Sequence, residues 1–301
     1  MIDERPHITV CVCTYKRQRL LTKLLKELAN QDSDDLFSYS IVVVDNDRLG
    51  SAEGVIADFR AASSVDVSYE IEPRQNICLA RNKGIDRASG EFVAFIDDDE
   101  FPARRWLVNL FQTCRLDGVA GVLGPVKSYF DERPPAWVMK GKFYDRPTHP
   151  TGFVIDWPES RTGNVLLKTG ILKADEAPFN PDFHRGGDTD FFRRMIESGH
   201  MFVWCDEAVV YEIVPPSRWT RSFMLKRALL RGKLTLQNSN LGFRSIAKSA
   251  IAVAVYAMVL PFISMLGHHR FMDLLIRLFD HLGKLLAVVG INPIRSPYIT
   301  D

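Results

Sequence analysis

The stretch Glu91-Phe-Val-Ala-Phe-Ile-Asp-Asp-Asp-Glu-Phe-Pro102 constrains this chain more than any other. Phe92 to Ile96 form a short unbroken apolar run, the pattern of a strand covered on both faces. Asp97, Asp98, Asp99 and Glu100 follow directly. Crowding like charge at a strand end is costly unless the carboxylates share a cation. In open α/β sheets, ligands bind outside the carboxyl ends of the strands. Hard oxygen donors at such a place suit Mg²⁺ or Mn²⁺ and, through the ion, a diphosphate. The competing reading is a solvated acidic turn capping a helix that begins near Ala103.

The residues before this stretch repeat a strand–helix rhythm. Ile8–Cys13 is a β-rich run, followed by an amphipathic segment with Leu20, Leu21, Leu24, Leu25 and Leu28 on one side. Ser40–Val44 reads as the next strand and ends in Asp45-Asn46-Asp47. A short helix around Ala52–Arg60, a strand near Val65–Ile71 and a helix around Ile77–Ala88 complete the series. This alternation predicts βαβ units and a mostly parallel sheet. Polar clusters at Thr14–Arg17, Asp45–Asp47 and Asp97–Glu100 then gather along one sheet edge. No G-x-G-x-x-G loop follows the first strand and no G-x-x-x-x-G-K-[ST] occurs. That argues against a dinucleotide-binding Rossmann domain and a P-loop nucleotidase, and leaves phosphates to metal and basic side chains.

From Val119 to Tyr211 prolines break the rhythm, as in long binding loops. Gly163–Lys168 and Met201–Tyr211 read as strands. Gly186-Gly187 allow an unusual backbone, and Asp188 or Thr189 is the expected cap of a helix running to Ser198. After Pro215-Pro216 the character changes again. No acid occurs between Glu212 and Asp273, while arginines and lysines are frequent there. Arg218–Lys233 reads as a basic helix. Ser249–Gly267 is uncharged and long enough to span a bilayer, with Pro261 interrupting it. Phe271–Val289 is amphipathic. Basic residues flanking an apolar segment favour association with an anionic membrane surface over a packed helical subdomain. The expected divisions are 1–118, 119–215 and 216–301.

Cys11, Cys13, Cys78, Cys114 and Cys205 are an odd, scattered set that reads as buried free thiols in a reducing compartment. The charged start Met1-Ile-Asp-Glu-Arg-Pro predicts no secretory leader, so the bulk of the chain is expected to be cytoplasmic.

The chemistry follows from two carboxylate sites. A cation held at Asp97 and Asp99 makes a nucleoside diphosphate a good leaving group. Asp188 is placed to take the proton from an attacking acceptor hydroxyl. Thr14, Asp45 and Arg81 are candidates for contacts to the nucleotide. Val10–Arg17, Val42–Asn46, Ala80–Gly84, Phe95–Glu100 and Gly186–Asp190, in that order and spacing, resemble family 2 glycosyltransferases. The resemblance covers about the first 215 residues. It implies the GT-A nucleotide-diphospho-sugar transferase fold, an α/β architecture, here with a helical C-terminal membrane-associating tail.

The resemblance also assigns roles. Asp45 reads the base, Asp97 and Asp99 form the metal-binding pair for Mg²⁺ or Mn²⁺, and Asp188 is the catalytic base. Asp98, with Thr14, Asp45, Arg81 and Asp97, belongs to the nucleotide-binding set. Gly187 departs from the Glu that many members carry there, which keeps Asp190 in view as an alternative base. Asp-Asp-Asp-Glu-Phe-Pro and the basic, apolar C-terminus further resemble bacterial exopolysaccharide β-glycosyltransferases of the succinoglycan type. The activity so implied is inverting, metal-dependent transfer of a hexose such as glucose from a UDP-sugar to a lipid-linked glycan at the cytoplasmic face of the cell membrane. No nucleic acid is among the expected partners. The competing functions are a metal-dependent nucleotidyl or phosphoryl transferase and a non-catalytic nucleotide-sugar-binding scaffold.

Overall fold

Apolar strands alternating with leucine-faced helices leave little choice but a sheet covered on both sides, and the chain folds accordingly. The computed structural model describes residues 5–183, 186–237 and 243–291. In chain order the first elements are β1 (His7–Thr14), α1 (Gln18–Leu28), β2 (Ser38–Asp45), α2 (Glu53–Ala62), β3 (Val67–Ile71), α3 (Ile77–Arg87) and β4 (Phe92–Ile96). Then come β5 (Glu100–Pro102), α4 (Trp106–Cys114), β6 (Val119–Leu123), β7 (Val126–Tyr129), α5 (Ala136–Gly141), β8 (Asn164–Lys168) and the single turn α6 (Thr169–Leu172). The chain continues through α7 (Gly187–Glu197), β9 (Met201–Trp204), β10 (Val210–Ile213), α8 (Arg221–Gln237), α9 (Phe243–Ile263) and α10 (His268–Val288).

The main sheet has seven strands in the order β3-β2-β1-β4-β8-β6-β9. β1 pairs in parallel with β2 and β4, and β2 with β3. β8 runs antiparallel to both β4 and β6, and β9 returns parallel to β6. The reversal at β8 brings Asn164 opposite Ile96, next to the acidic strand end. A second sheet, β5-β10-β7, begins at Glu100. The acidic stretch is thus a hinge between two sheets rather than a turn capping a helix at Ala103, and α4 starts later, at Trp106.

Leu21, Leu24, Leu25 and Leu28 put the buried face of α1 onto Val10, Val12, Ile41 and Val43. Burying each such leucine contributes roughly 2 kcal/mol. On the other side of the sheet, Phe179, Phe191, Phe192 and Phe202 pack with Val44, Phe95 and Leu167. All five cysteines are free, and burial pushes the Cys114 thiol up to about 11.

Two compact units are distinguished: residues 1–128 with 146–212, and residues 129–145 with 213–301. The second has its own small core of Val138, Val214, Trp219, Met224 and Met272. Within it α8 and α10 approach so closely that a Cβ on Gly232 would stand 2.2 Å from the Asp280 carbonyl oxygen. Pro261 lies within the last turn of α9 and does not end it. Arg244–Leu266 is long and apolar enough to cross a membrane by length and composition; its most apolar 18 residues have mean hydropathy 2.1, and only 6% of them are buried. Ile251, Met258, Phe262 and Met265 are among its most exposed side chains.

Candidate active site

β1, β2 and β4 end side by side, so their polar termini meet. Thr14 and Asp45 are register partners on β1 and β2. The Thr14 hydroxyl donates to Asp98 Oδ2 at 2.8 Å, and Arg17 Nη1 donates to Asp98 Oδ1 at 2.8 Å. Asp98 is almost fully buried. Both its oxygens are therefore engaged, by the last residue of β1 and by the loop after it, which makes it a tie between strand ends.

Asp45 is completely buried. It accepts from Asp47 N at 2.9 Å, Ala52 N at 2.7 Å, the Ser51 hydroxyl at 3.3 Å and the Tyr69 hydroxyl at 3.0 Å. A carboxylate has about four acceptor sites, and protein donors occupy them here. Through these bonds Asp45, the candidate reader of a base, fixes the loop Asp47–Ala52.

Asp97 and Asp99 face differently. Asp97 is packed round by protein atoms, yet 49% of its side-chain surface stays open. Burial, then the neighbouring charges of Asp99, Asp98 and Asp188, push its carboxyl up to about 6 against the opposing pull of Arg81. Arg81, buried on α3, lies 3.9 Å from Asp97 Oδ1 and 5.5 Å above the Phe179 ring centroid. Asp99 Oδ2 is 3.5 Å from Arg17 Nη1. A desolvated carboxylate whose neighbours are carboxylates is the environment that a hard divalent cation relieves. Among the described residues, no three His, Cys, Asp or Glu side chains are grouped as a metal cage. Two carboxylates that leave the remaining positions to substrate oxygens fit Mg²⁺ or Mn²⁺ bound together with a diphosphate.

Asp188 comes from far along the chain. Gly186 takes φ 79° and is the N-cap of α7, without a side-chain cap, so neither Asp188 nor Thr189 fills the capping role expected from sequence. Asp188 Oδ1 accepts instead from Thr189 N at 2.9 Å. Its charge is one of those that raise Asp97. Asp190, one residue beyond Thr189, is clamped by Arg193 at 3.1 Å and Arg194 at 2.9 Å. Those pairings give Asp190 a structural part.

Sequence reading missed what holds Asp188 there. Asn76 caps α3 and donates to the Pro181 carbonyl at 2.7 Å. Asn82 brackets Phe179, donating to its carbonyl at 2.8 Å and accepting from its N–H at 3.0 Å. Cys78 Sγ donates to the Phe183 carbonyl at 3.3 Å. The available signals were Asn76 just ahead of the helix and Asn82 within the Ala80–Gly84 motif. Asn164 is similar: its side chain joins Trp106 Nε1, the Pro125 carbonyl and the Ala208 carbonyl.

Residues 9–171 match the sequence profile of Glycosyl transferase family 2. The chain is 32% identical over 310 residues to the succinoglycan biosynthesis protein ExoM of Rhizobium meliloti, covering 98% of this chain and 97% of that one. It is 36% identical over 124 residues to the GalNAc(5)-diNAcBac-PP-undecaprenol beta-1,3-glucosyltransferase of Campylobacter jejuni, 40% of this chain and 38% of that one. Among solved structures, the mannosyltransferase PcManGT of Pyrobaculum calidifontis, in complex with GDP-Man and Mn²⁺, superposes with TM-score 0.66 at 17% identity, covering 95% of this chain and 88% of that one. S. aureus TarS 1-349 in complex with UDP gives 0.55 at 17% identity, covering 96% and 93%. These likenesses place the fold among GT-A-like structures.

Proposed function

The chain belongs to Glycosyl transferase family 2, and from that premise we propose that it transfers a hexose, with inversion, from a uridine diphosphate sugar such as UDP-glucose to a lipid-linked glycan in exopolysaccharide synthesis. The observation that carries this reading is the packing of Gly187, next to Asp188, against Cys78 on the helix whose Arg81 faces Asp97, although about ninety residues separate the two acids. A pure nucleotide-binding scaffold has no use for that second carboxylate. Likeness to a succinoglycan biosynthesis protein along nearly the whole of both chains supports the acceptor class.

Asp97 and Asp99 would hold the divalent cation, which supplies charge neutralisation at the leaving diphosphate. Arg81 adds a fixed positive charge beside Asp97. Asp45, through Asp47 and Ala52, shapes the loop against which the base rests. Asp98 holds Thr14 and Arg17 in place. Asp188 accepts the proton of the acceptor hydroxyl as that oxygen attacks the anomeric carbon from the face opposite the diphosphate. One base is enough, because the leaving group departs as a stable anion and needs no acid, unlike the alcohol expelled in glycoside hydrolysis. The exposed apolar face of α9 keeps the protein at the cytoplasmic surface of the membrane that carries the acceptor.

The test is product analysis across a panel of nucleotide sugars with Mn²⁺ and a prenyl-diphosphate-linked acceptor. Release of nucleoside diphosphate with formation of a β-glycoside is expected from an α-linked donor. Release of pyrophosphate or phosphate instead would establish nucleotidyl or phosphoryl transfer and sink the proposal.

A further inference from the structure

The acids after β4 sit on a turn that is closed twice. Glu100 N–H donates to the Asp97 carbonyl at 3.1 Å, and Asp97 N–H donates back to Glu100 Oε2 at 3.3 Å. Glu100 is only 2% exposed. A carboxyl is costly to bury, and the bond that Glu100 makes there is to the backbone of Asp97. The pairing of β5 with β10 places Glu100 opposite Glu212 and holds its own backbone still.

The other side of Asp97 is set by a glycine. Asn164 is the register partner of Ile96, so Gly163 comes beside Asp97 where β8 meets β4. A Cβ on Gly163 would stand 3.0 Å from Asp97 Oδ2, 3.0 Å from Glu100 Oε1 and 3.3 Å from Glu100 Oε2. Non-bonded heavy atoms settle at about 3.5–4.0 Å, so a side chain here would press on both carboxyl groups. Gly163 has little room to retreat. It is buried, and Asn164 after it is tied to Trp106 Nε1 and to the Pro125 and Ala208 carbonyls. Glu100 is buried and bonded, whereas 49% of the Asp97 side chain is open, so Asp97 is the group that would swing. Its other oxygen, Oδ1, faces Arg81 at 3.9 Å. The Asp97 carboxylate thus stands between Gly163 and Arg81, on a backbone fastened by Glu100.

We propose that Glu100 and Gly163 are positioning residues for Asp97. Glu100 fixes the backbone from which the Asp97 carboxylate projects, and Gly163, by having no side chain, leaves that carboxylate room to face the cation. The inference rests on the reading that Asp97 and Asp99 hold a divalent metal ion. It gives each acid of the Asp97–Glu100 run its own part: two for the ion, Asp98 as the tie to β1, and Glu100 as the support beneath them.

Metal binding rather than turnover is the readout. Full-length protein is titrated with Mn²⁺ in the presence of UDP, followed by loss of the free-ion paramagnetic resonance signal, and UDP is titrated separately without metal. Groups that support a metal ligand typically contribute about 10–100-fold to affinity. Glu100→Ala and Gly163→Ala should each weaken Mn²⁺ binding by about tenfold or more, with metal-free UDP binding unchanged. Glu100→Gln keeps an oxygen for the Asp97 N–H and should stay close to the parent. Should Glu100→Ala fail to fold, Gly163→Ala and Glu100→Gln still decide the matter. Asp97→Asn is the reference. If it weakens Mn²⁺ binding while Gly163→Ala does not, this inference fails and the metal reading stands. If Asp97→Asn binds Mn²⁺ as tightly as the parent, the metal reading fails and takes this one with it. A loss in Glu100→Gln as large as in Glu100→Ala would make the Glu100 carboxylate itself a ligand, and an equal loss of metal-free UDP binding would make both residues merely structural; either outcome overturns the proposal.

Discussion

Replacing Gly187 with alanine isolates what the site's geometry demands. Gly187 is the first residue of α7, and intrinsic propensity alone favours alanine over glycine within a helix by ~0.8–1 kcal/mol. The structure reverses that sign. A Cβ at 187 would stand 2.3 Å from Cys78 Sγ, whereas non-bonded heavy atoms settle at about 3.5–4.0 Å. The sulfur has no open side to move into: Cys78 is fully buried and donates to the Phe183 carbonyl. The start of α7 must therefore retreat by about 1 Å, and overpacking of this kind costs about 1–3 kcal/mol. Set against the helix gain, Gly187→Ala should destabilise by up to about 2 kcal/mol. Asp188 is the next residue, and a shift of about 1 Å in a reacting group can cost up to ~10²-fold in rate. Cys78→Ala removes the obstacle, so the double variant should recover both quantities, with a coupling energy of about 1–2 kcal/mol. Urea unfolding of all four proteins, together with rates of nucleoside diphosphate release, measures the cycle. If Gly187→Ala is as stable as the parent, or if the two substitutions simply add, the steric account of this helix start is wrong.

Asp188→Asn should keep UDP affinity and lose roughly 10²–10⁴ in turnover. Asp190→Asn, which frees Arg193 and Arg194, should mainly lower stability, by about 1–3 kcal/mol; a larger loss of turnover from Asp190→Asn would move the base. Asp97 is raised from 3.8 to about 6, so its contribution to metal-free stability is fully present below pH 3.8 and lost as pH rises through about 6. Metal-free melting temperature should therefore fall across that window. Stabilisation by Mn²⁺ should grow over the same range, and Asp97→Asn should flatten both trends; a metal-free melting temperature that climbs instead reverses the assignment. Met258→Asp with Phe262→Asp, on exposed positions of α9, should release the protein from anionic vesicles in flotation without changing its melting temperature, and unchanged flotation would refute the membrane role of that helix.

Most of the architecture was legible because it is written in local pattern. Phe92–Ile96 is the strand its apolar run implies, and the leucine spacing of α1 matches the face it buries. What escaped sequence reading depends on partners distant in the chain. Glu100–Pro102 carries no strand signal of its own and becomes a strand because Val210–Glu212 pairs with it. The site divides along the same line. The acids could be found because carboxylates crowded together are conspicuous, but their individual roles depend on which donors the fold brings to them. Asp45 and Asp98 are aspartates like Asp97, yet protein donors bind both their oxygens, while Asp97 keeps an open face. Sequence orders these residues along strands and cannot say which lone pairs folding uses up. The same limit hid Asn76 and Asn82, whose amides tie the loop before Asp188 to the helix that carries Arg81. The proposed base Asp188 and Arg81 thereby share one support. A perturbation of either asparagine should then move donor and acceptor chemistry together rather than one alone.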